Sequence, residues 1–159
     1  MLSLFARPTR RITATLVAGL LVLGLTSGQA ASAANYVEKH ERTLVNTERQ
    51  EHKRNSLRLH AKLSKIARKH SRRMANHGEL YHNPNLAQQV QGMPWRVIAE
   101  NVGVGPDLGD ADASVQMVHD AFMDSAPHRK NILLRKVRKV GVGVVASGGN
   151  VWVTIVFMG

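Results

Sequence analysis

Two alternating apolar segments near the end of this chain constrain its fold more than any other feature. In residues 140–144 valine alternates with glycine, and residues 151–157 alternate in a similar way. A Ser-Gly-Gly-Asn turn at residues 147–150 separates the two segments. Alternation with a period of two on both sides of a glycine-rich turn predicts a β-hairpin. The small positions Gly141 and Gly143 predict that a helix or a ligand approaches one face of this hairpin closely.

Apolar residues upstream of the hairpin recur at helical spacing. Residues 36 to about 55 are strongly charged and carry only sparse apolar positions, which predicts a surface helix with one narrow buried stripe. A second helix follows, with apolar spacings of three and four residues, and Gly78 is expected to end it. Its buried face is expected to comprise Leu59, Leu63, Ile66, His70 and Met74.

A strand and a third helix complete this scaffold. Residues 95–102 read as a short strand, and the glycine-rich residues 103–110 read as a turn. Asp110 or Asp112 is suited to cap a helix that runs to about Asp124. The sequence contains no internal repeat, phosphate loop or dinucleotide fingerprint.

The first residues of the chain have the three parts of an export signal. Three arginines within the first 11 residues precede an apolar run at residues 12–25, and Ala-Ser-Ala at residues 31–33 is a small-residue cleavage site. We therefore predict a signal peptide at residues 1–33 and a single domain at residues 34–159.

This assignment also predicts where the protein acts. The apolar run has 14 residues, fewer than the roughly 20 that a membrane-spanning helix needs. We therefore expect no membrane span after cleavage and a secreted protein, extracellular or in the cell envelope. The general and the twin-arginine routes both remain open. Cysteine is absent, so packing alone must hold the mature domain, and a thiol nucleophile or a zinc–thiolate site is excluded.

The net charge predicts an anionic partner. The chain carries +11, and +8 remains once the three arginines of the signal are removed. Nucleic acid is an unlikely partner for an exported protein whose basic clusters lack interleaved aromatic residues. An anionic cell-envelope polymer or lipid fits better, and a merely solvated basic surface is the alternative. The clusters at residues 68–73 and 129–139 would form one face only if the helices pack that way. We expect a monomer.

Residues 125–133 read as the start of a helix that presents a histidine. Ser125 is expected to be the N-cap, its hydroxyl accepting a hydrogen bond from the amide of His128. Pro127 is tolerated in the first turn because it has no N–H to leave unpaired. The positive end of the helix dipole disfavours a charged imidazole, so we expect a neutral His128 that can accept a hydrogen bond or bind a metal. A solvated histidine in a first turn is the alternative.

Two further polar residues stand in conspicuous places. Glu100 lies inside an apolar strand, where a carboxylate is costly to bury unless it is paired or bound to a cation. His82 is the last residue before an irregular loop that begins with Asn-Pro, and loops often carry function. The alternatives are a carboxylate that faces water at a sheet edge and a solvated loop histidine.

Taken in order, these segments resemble the CAP superfamily, the group of cysteine-rich secretory, antigen 5 and pathogenesis-related-1 proteins, and in particular its short bacterial SCP-domain members. Residues 98–102, Ile-Ala-Glu-Asn-Val, resemble the "GEN" strand of the family, with alanine in the glycine place. Residues 125–133, Ser-Ala-Pro-His-Arg-Lys-Asn-Ile-Leu, resemble the bacterial "SPGHRxNIL" segment. The resemblance implies an α+β fold, an α-β-α sandwich with a three-stranded antiparallel sheet between helices.

The resemblance also implies a cavity that two histidines and two acids line in fuller members of the family. His82, Glu100 and His128 match three of these four positions. Where animal and plant members have a tryptophan and, three residues later, a glutamate, this chain has Phe122 and Ser125. The second acid is therefore missing, which argues against a mechanism that needs paired carboxylates.

Two roles for the cavity stay open at this point. His82, Glu100 and His128 could hold Zn²⁺ or another divalent cation, or form a hydrogen-bonded network that only orders the surrounding loops. Relatives that bind lipids and sterols favour a binding module for a lipid, an envelope polymer or another small ligand. A metal-assisted or serine-dependent hydrolase is the alternative. We disfavour Ser125 as a nucleophile because capping would occupy its oxygen, and no catalytic residue is assigned.

Overall fold

The computed structural model describes residues 27–159, and side chains from Tyr36 onward. Residues 1–26, which make up most of the signal peptide predicted at residues 1–33, lie outside that part. The signal peptide and its cleavage after Ala33 therefore stay predictions. Five helices are described: α1 (Ser27–Glu51), α2 (Ala61–His77), α3 (Leu86–Gln89), α4 (Ala111–Asp124) and α5 (Ala126–Ile132). The strands of the described part are β1 (Arg58–Leu59), β2 (Ile98–Pro106), β3 (Lys139–Ser147) and β4 (Asn150–Met158).

The sheet has four strands rather than the three predicted, in the order β1-β3-β4-β2. The three long strands are antiparallel neighbours, as expected, and β3 and β4 form the predicted hairpin. The additional strand β1 has two residues and pairs in parallel with β3, Leu59 lying opposite Val140. Leu59 was predicted to lie on the buried face of the second helix, but it belongs to β1 and is 54% exposed. A two-residue strand is too short to produce a periodic sequence pattern, which is why it was missed.

Helices cover both faces of the sheet, which gives the α-β-α sandwich. The glycines of β3 face α2, since a Cβ atom built on Gly141 would meet the backbone of Leu63. The intervening valines of β3 pack in a single apolar core with residues of α1 and α4, among them Val45 and Val115. Of the two possibilities that the glycines left open, a close helix is therefore the one observed.

The termini of the elements follow local chemistry. Gly78 ends α2 in the left-handed conformation, with φ of 68°, as predicted. Asp110 caps α4, and its side chain accepts a hydrogen bond from the amide of Ala113. Strand β2 does not end near Val102 but continues to Pro106, because it pairs along its whole length with β4. A sheet partner of equal length thus overrides the turn preference of the glycines in this segment.

Candidate functional site

The predicted site residues lie around β2, which is an edge strand of the sheet. Glu100 lies on β2 itself, and His82 lies in the loop between α2 and α3. Ser125 connects α4 to α5, and His128 lies in the first turn of α5. The fold therefore brings three segments that are distant in sequence to one edge of the sheet.

Glu100 is the most buried member of this group. Its side chain is 5% exposed, whereas that of His82 is 66% exposed. Nδ1 of His82 lies 2.9 Å from Oε2 of Glu100, and the backbone N–H of Asn83 donates to the same oxygen over 2.9 Å. The other oxygen, Oε1, is buried without a hydrogen-bond partner. A carboxylate with one satisfied and one unsatisfied oxygen is suited to receive a further donor or a cation.

His128 is half-buried and packs edge-on against Phe122, with 5.1 Å between the ring centroids. Burial lowers the pKa of His128 below its ordinary value, and the positive charge of His82 lowers it further. A neutral imidazole at neutral pH follows, which agrees with the sequence-based expectation. The cause differs, because burial contributes most to the lowered pKa.

Side-chain alternation along β2 places Glu100 and Asn101 on opposite faces. The neighbours of Glu100 at Ile98 and Val102 pack against residues of α2, whereas a Cβ atom on Gly103 would meet Phe122 of α4. Glu100 therefore faces the α2 layer, and Asn101 faces the layer that holds His128.

Two asparagines attach α5 to this second face. Nδ2 of Asn101 donates to the carbonyl oxygen of His128 over 3.1 Å. Nδ2 of Asn131 donates to Oδ1 of Asn101 and to the carbonyl oxygen of Glu100, at 3.0 and 3.2 Å. Asn101 is fully buried. Both asparagines stand in the motifs quoted above, but no role was predicted for either. The available signal was that Glu100 and Asn101 are adjacent polar residues inside an otherwise apolar strand.

The predicted N-cap position of Ser125 is confirmed, but the predicted hydrogen bond between its hydroxyl and the amide of His128 is wrong. Ser125 is the N-cap residue of α5 and its backbone is extended, but its hydroxyl makes no capping hydrogen bond. The same residue ends α4, where its backbone N–H donates to the carbonyl oxygen of Ala121 over 3.2 Å. A residue shared by two consecutive helices has its backbone fixed from both sides, so side-chain capping does not decide its conformation.

The donor set at β2 suits a divalent cation in its chemistry, since imidazole nitrogens and a carboxylate are common zinc ligands. In residues 36–159, however, no three or more His, Asp or Glu side chains are grouped so that they could hold a metal. Nδ1 of His82 is engaged by Glu100, and the imidazole of His128 packs against Phe122 of α4. The three residues thus share one edge of the sheet without forming a three-ligand centre.

A second histidine–glutamate pair, which the sequence analysis did not identify, lies in the core. Nδ1 of His119 on α4 lies 2.9 Å from Oε1 of Glu41 on α1, and these side chains are 2% and 0% exposed. Burial raises the pKa of Glu41 and outweighs the opposing hydrogen bond and charge of His119. Burial alone would lower the pKa of His119, but the hydrogen bond and the charge of Glu41 together raise it. The two groups therefore titrate as a coupled pair across the interface of α1 and α4.

Comparison with known structures first defines the fold. An extracellular protein containing a SCP domain from Bacillus anthracis str. Ames matches with a TM-score of 0.67 and 23% identity, over 85% of this chain and 44% of that one. An outer surface protein of Borrelia burgdorferi matches with a TM-score of 0.67 and 14% identity, over 79% of this chain and 93% of its own. A structure of NaASP2 with Zn²⁺ matches with a TM-score of 0.57 and 13% identity, over 84% of this chain and 82% of that one. At these identities the matches show the CAP/SCP fold alone.

Sequence comparison then gives the family. The model of the cysteine-rich secretory protein family, CAP, matches residues 42–157. The uncharacterized protein YkwD of Bacillus subtilis (strain 168) is 31% identical over 133 residues, which cover 80% of this chain and 49% of YkwD. The chain therefore belongs to the CAP family and is of the bacterial type, and it spans about half the length of this curated relative.

Proposed function

We propose that this CAP-domain protein acts outside the cytoplasm as a binding module for an anionic polymer or lipid of the cell envelope. The observation that carries the proposal is a basic groove on α2, here called the α2 groove. It is a shallow cavity of about 290 Å³ lined by Lys65, Arg68, Lys69 and Arg72. Spacings of three, one and three residues place these side chains on one face of the helix.

The charge of the α2 groove is only partly neutralised within the protein. Arg68 makes a bidentate pair with Glu38, its Nε donating to Oε1 over 2.7 Å. The ion pairs of residues 36–159 include no other member of the groove. The remaining cations are therefore available to an external anion, and the excess of positive charge on the chain would strengthen this attraction.

Similar proteins support an extracellular or envelope location. Among the structural relatives are a protein described as extracellular and an outer surface protein. Within residues 27–159, no helix is long and apolar enough to cross a membrane. The missing second acid at Ser125 favours binding over hydrolysis, since a pair of carboxylates is not available for acid–base catalysis.

Vesicle binding tests this function. We expect the protein to sediment with vesicles that contain phosphatidylglycerol and not with phosphatidylcholine vesicles, and to dissociate between low salt and 0.15 M salt, where the Debye length falls to about 8 Å. Lys65→Glu with Lys69→Glu should weaken binding at low salt by at least tenfold. Purified cell-wall polymer in place of vesicles distinguishes a polymer from a lipid.

The matched control reverses two exposed charges outside the groove, Arg96→Glu with Lys130→Glu, and leaves the α2 groove intact. If both double variants lose affinity equally, net charge rather than the groove is responsible. If the wild type binds neither the phosphatidylglycerol vesicles nor the cell-wall polymer even at low salt, the proposal is wrong.

A divalent-cation site at Glu100 is a second candidate function, favoured by the buried, unpartnered Oε1 of this residue. For His82, Glu100 and His128 to hold the cation together, the imidazole of His128 would have to turn toward Glu100, since the three do not form a three-ligand centre as they stand. The cation would then supply a Lewis acid at the edge of the sheet. We expect Zn²⁺ to bind the purified protein in calorimetry, and His82→Ala or His128→Ala to weaken binding more than tenfold, which corresponds to about 1.4 kcal/mol.

His52→Ala, which removes an exposed histidine on another part of the surface, is the control. Absence of binding to the wild type, or equal binding to every variant, would leave a structural hydrogen-bonded network as the role of these residues.

A further inference from the structure

A second, smaller basic pocket lies where the end of α1 meets the segment that leads into β3. Its volume is about 240 Å³, and we call it the α1 pocket. Five of its lining residues are cations, and none is an acid. The lining consists of Arg49, Lys53, Arg54, Asn55, Arg135 and Arg138. Residues of the two basic clusters thus line separate cavities rather than one. Arg135 and Arg138 line the α1 pocket, whereas Arg68, Lys69 and Arg72 line the α2 groove.

Arg49 is the lining residue of the α1 pocket that is completely buried. Its Nε donates to the carbonyl oxygen of Asn55 over 2.8 Å, and its Nη1 donates to those of Ile132 and Leu134 over 2.6 and 3.0 Å. These partners satisfy hydrogen bonds but carry no formal charge. Burial, together with the smaller effects of the charges of Arg138 and Arg54, lowers the pKa of Arg49 to about 10. A buried cation surrounded by other cations lacks a counter-charge, which an anion would supply.

Two of the other guanidinium groups, those of Arg54 and Arg138, are also held in place by the backbone. Nε of Arg54 donates to the carbonyl oxygen of Leu133 over 3.1 Å. Nη1 of Arg138 donates to the carbonyl oxygens of Arg135 and Val137 over 2.6 and 2.9 Å. Each group retains further N–H donors, because a guanidinium has five. Fixed guanidinium groups with spare donors are suited to a tetrahedral oxyanion such as phosphate.

Lys53 occupies a backbone position that usually belongs to glycine. Its φ is 54°, in the left-handed region, where a side chain costs about 1–2 kcal/mol. The N–H of Lys53 donates to the carbonyl oxygen of Gln50, and the N–H of Arg54 to that of Arg49, which forms a Schellman motif at the end of α1. The chain therefore places a lysine in the α1 pocket at a site where glycine would be less strained.

From these observations we propose that the α1 pocket is a binding site for a phosphate group. The group can be presented by a small phosphate ester or by the headgroup of a phospholipid, and the same cations would contact it in either case. This site does not depend on the α2 groove, because the two cavities have no lining residue in common.

Titration of the purified protein at low ionic strength tests the site. We expect inorganic phosphate and glycerol 3-phosphate to bind with saturation in calorimetry, and chloride at equal ionic strength not to compete. Lys53→Gln with Arg135→Gln should weaken phosphate binding at least tenfold, and these exposed positions leave the buried Arg49 intact. The control Arg96→Gln with Lys130→Gln removes the same charges elsewhere and should retain most of the affinity.

Two further measurements separate the outcomes. Lys53→Gly should weaken phosphate binding without lowering the thermal midpoint, because glycine relieves the left-handed strain. Binding to vesicles containing phosphatidic acid but not to glycerol 3-phosphate would assign the site to a lipid headgroup, and the reverse would assign it to a soluble ester. Failure of all these phosphate probes, or equal losses in the pocket and control variants, would overturn the proposal and leave the α2 groove unaffected.

Discussion

Replacing His119 with alanine is expected to lower the free energy of unfolding by about 3–5 kcal/mol, the usual cost of removing one partner of a buried charged pair. The change leaves the carboxyl group of Glu41 fully buried without its hydrogen bond, and it also leaves a cavity between α1 and α4. Denaturation in guanidinium chloride, followed by circular dichroism, measures the loss.

An exposed pair in the same protein is the matched control. Nδ1 of His52 lies 3.8 Å from a carboxylate oxygen of Glu48, one helical turn away, and the two side chains are 45% and 27% exposed. Exposed pairs of this kind contribute about 0.3–0.5 kcal/mol, so His52→Ala should change stability little. A loss of similar size in both variants would contradict the role of burial.

The buried pair also predicts how stability depends on pH. The pKa of His119 is raised in the folded protein, so folding takes up a proton. The stabilisation is complete below the ordinary pKa of about 6.5 and is lost as the pH rises through the folded value. Burial also raises the pKa of Glu41. Its effect on stability has the same sign, because stability falls as the pH rises above the ordinary pKa of this carboxyl group. The wild type should therefore lose stability as the pH rises above about 6.5, relative to a Glu41→Leu, His119→Leu double variant, which has no proton to release. Parallel pH curves would show that the pair does not titrate in this range.

This pair explains part of what the sequence could not predict. The sparse apolar positions of α1 predicted one narrow buried stripe, and Val37 and Val45 are buried there. Glu41 and Arg49, which lie at the same helical spacing, are equally buried. A hydrophobicity pattern treats such residues as exposed, because a charge is buried only when it has a partner. These partners are His119 and backbone carbonyl groups, some of them 83 and 85 residues away. Periodicity within a single helix therefore carries no information about them.

The candidate site, too, could be predicted only in part from the sequence. Glu100 was conspicuous in the sequence because a carboxylate interrupts an apolar strand, and the structure places His82 in contact with it. His128 is also at this edge of the sheet, but alternation along β2 directs Glu100 and Asn101 to opposite faces. The order of the motifs in the sequence indicates which residues lie near one another. The face of the sheet to which each side chain points depends instead on the register of β2 with β4. For that reason the sequence alone could not decide whether the three residues form a single centre.

The hairpin glycines give the other large expected effect. A Cβ atom on Gly143 would lie 2.2 Å from the backbone nitrogen of Arg68, and one on Gly141 would lie 2.2 Å from the backbone carbon of Leu63. Both contacts are with the backbone of α2, which cannot move aside as the end of a side chain can. Gly143→Ala and Gly141→Ala should each destabilise the fold by about 3 kcal/mol or more.

The opposing effect of the substitution is smaller. Alanine loses less backbone entropy than glycine within a strand, which favours the variant by about 0.5–1 kcal/mol. Relief by a shift of α2 is restricted, since Oγ of Ser71 lies 3.0 Å from the carbonyl oxygen of Gly143 and 2.8 Å from Oγ1 of Thr154. The steric cost is therefore larger than the entropic gain, and both variants of β3 should be less stable than the wild type.

Gly105→Ala is the matched control for this prediction, because it adds the same methyl group to a strand of the same sheet. A Cβ atom there would lie 2.9 Å from Cγ2 of Val118, a side-chain atom that a rotamer change can displace. Thermal denaturation should show a much smaller loss for Gly105→Ala than for the variants of β3. Equal midpoints for all three variants would mean that α2 lies farther from the sheet than the structure places it, since only direct backbone contact makes the two positions of β3 intolerant of a methyl group.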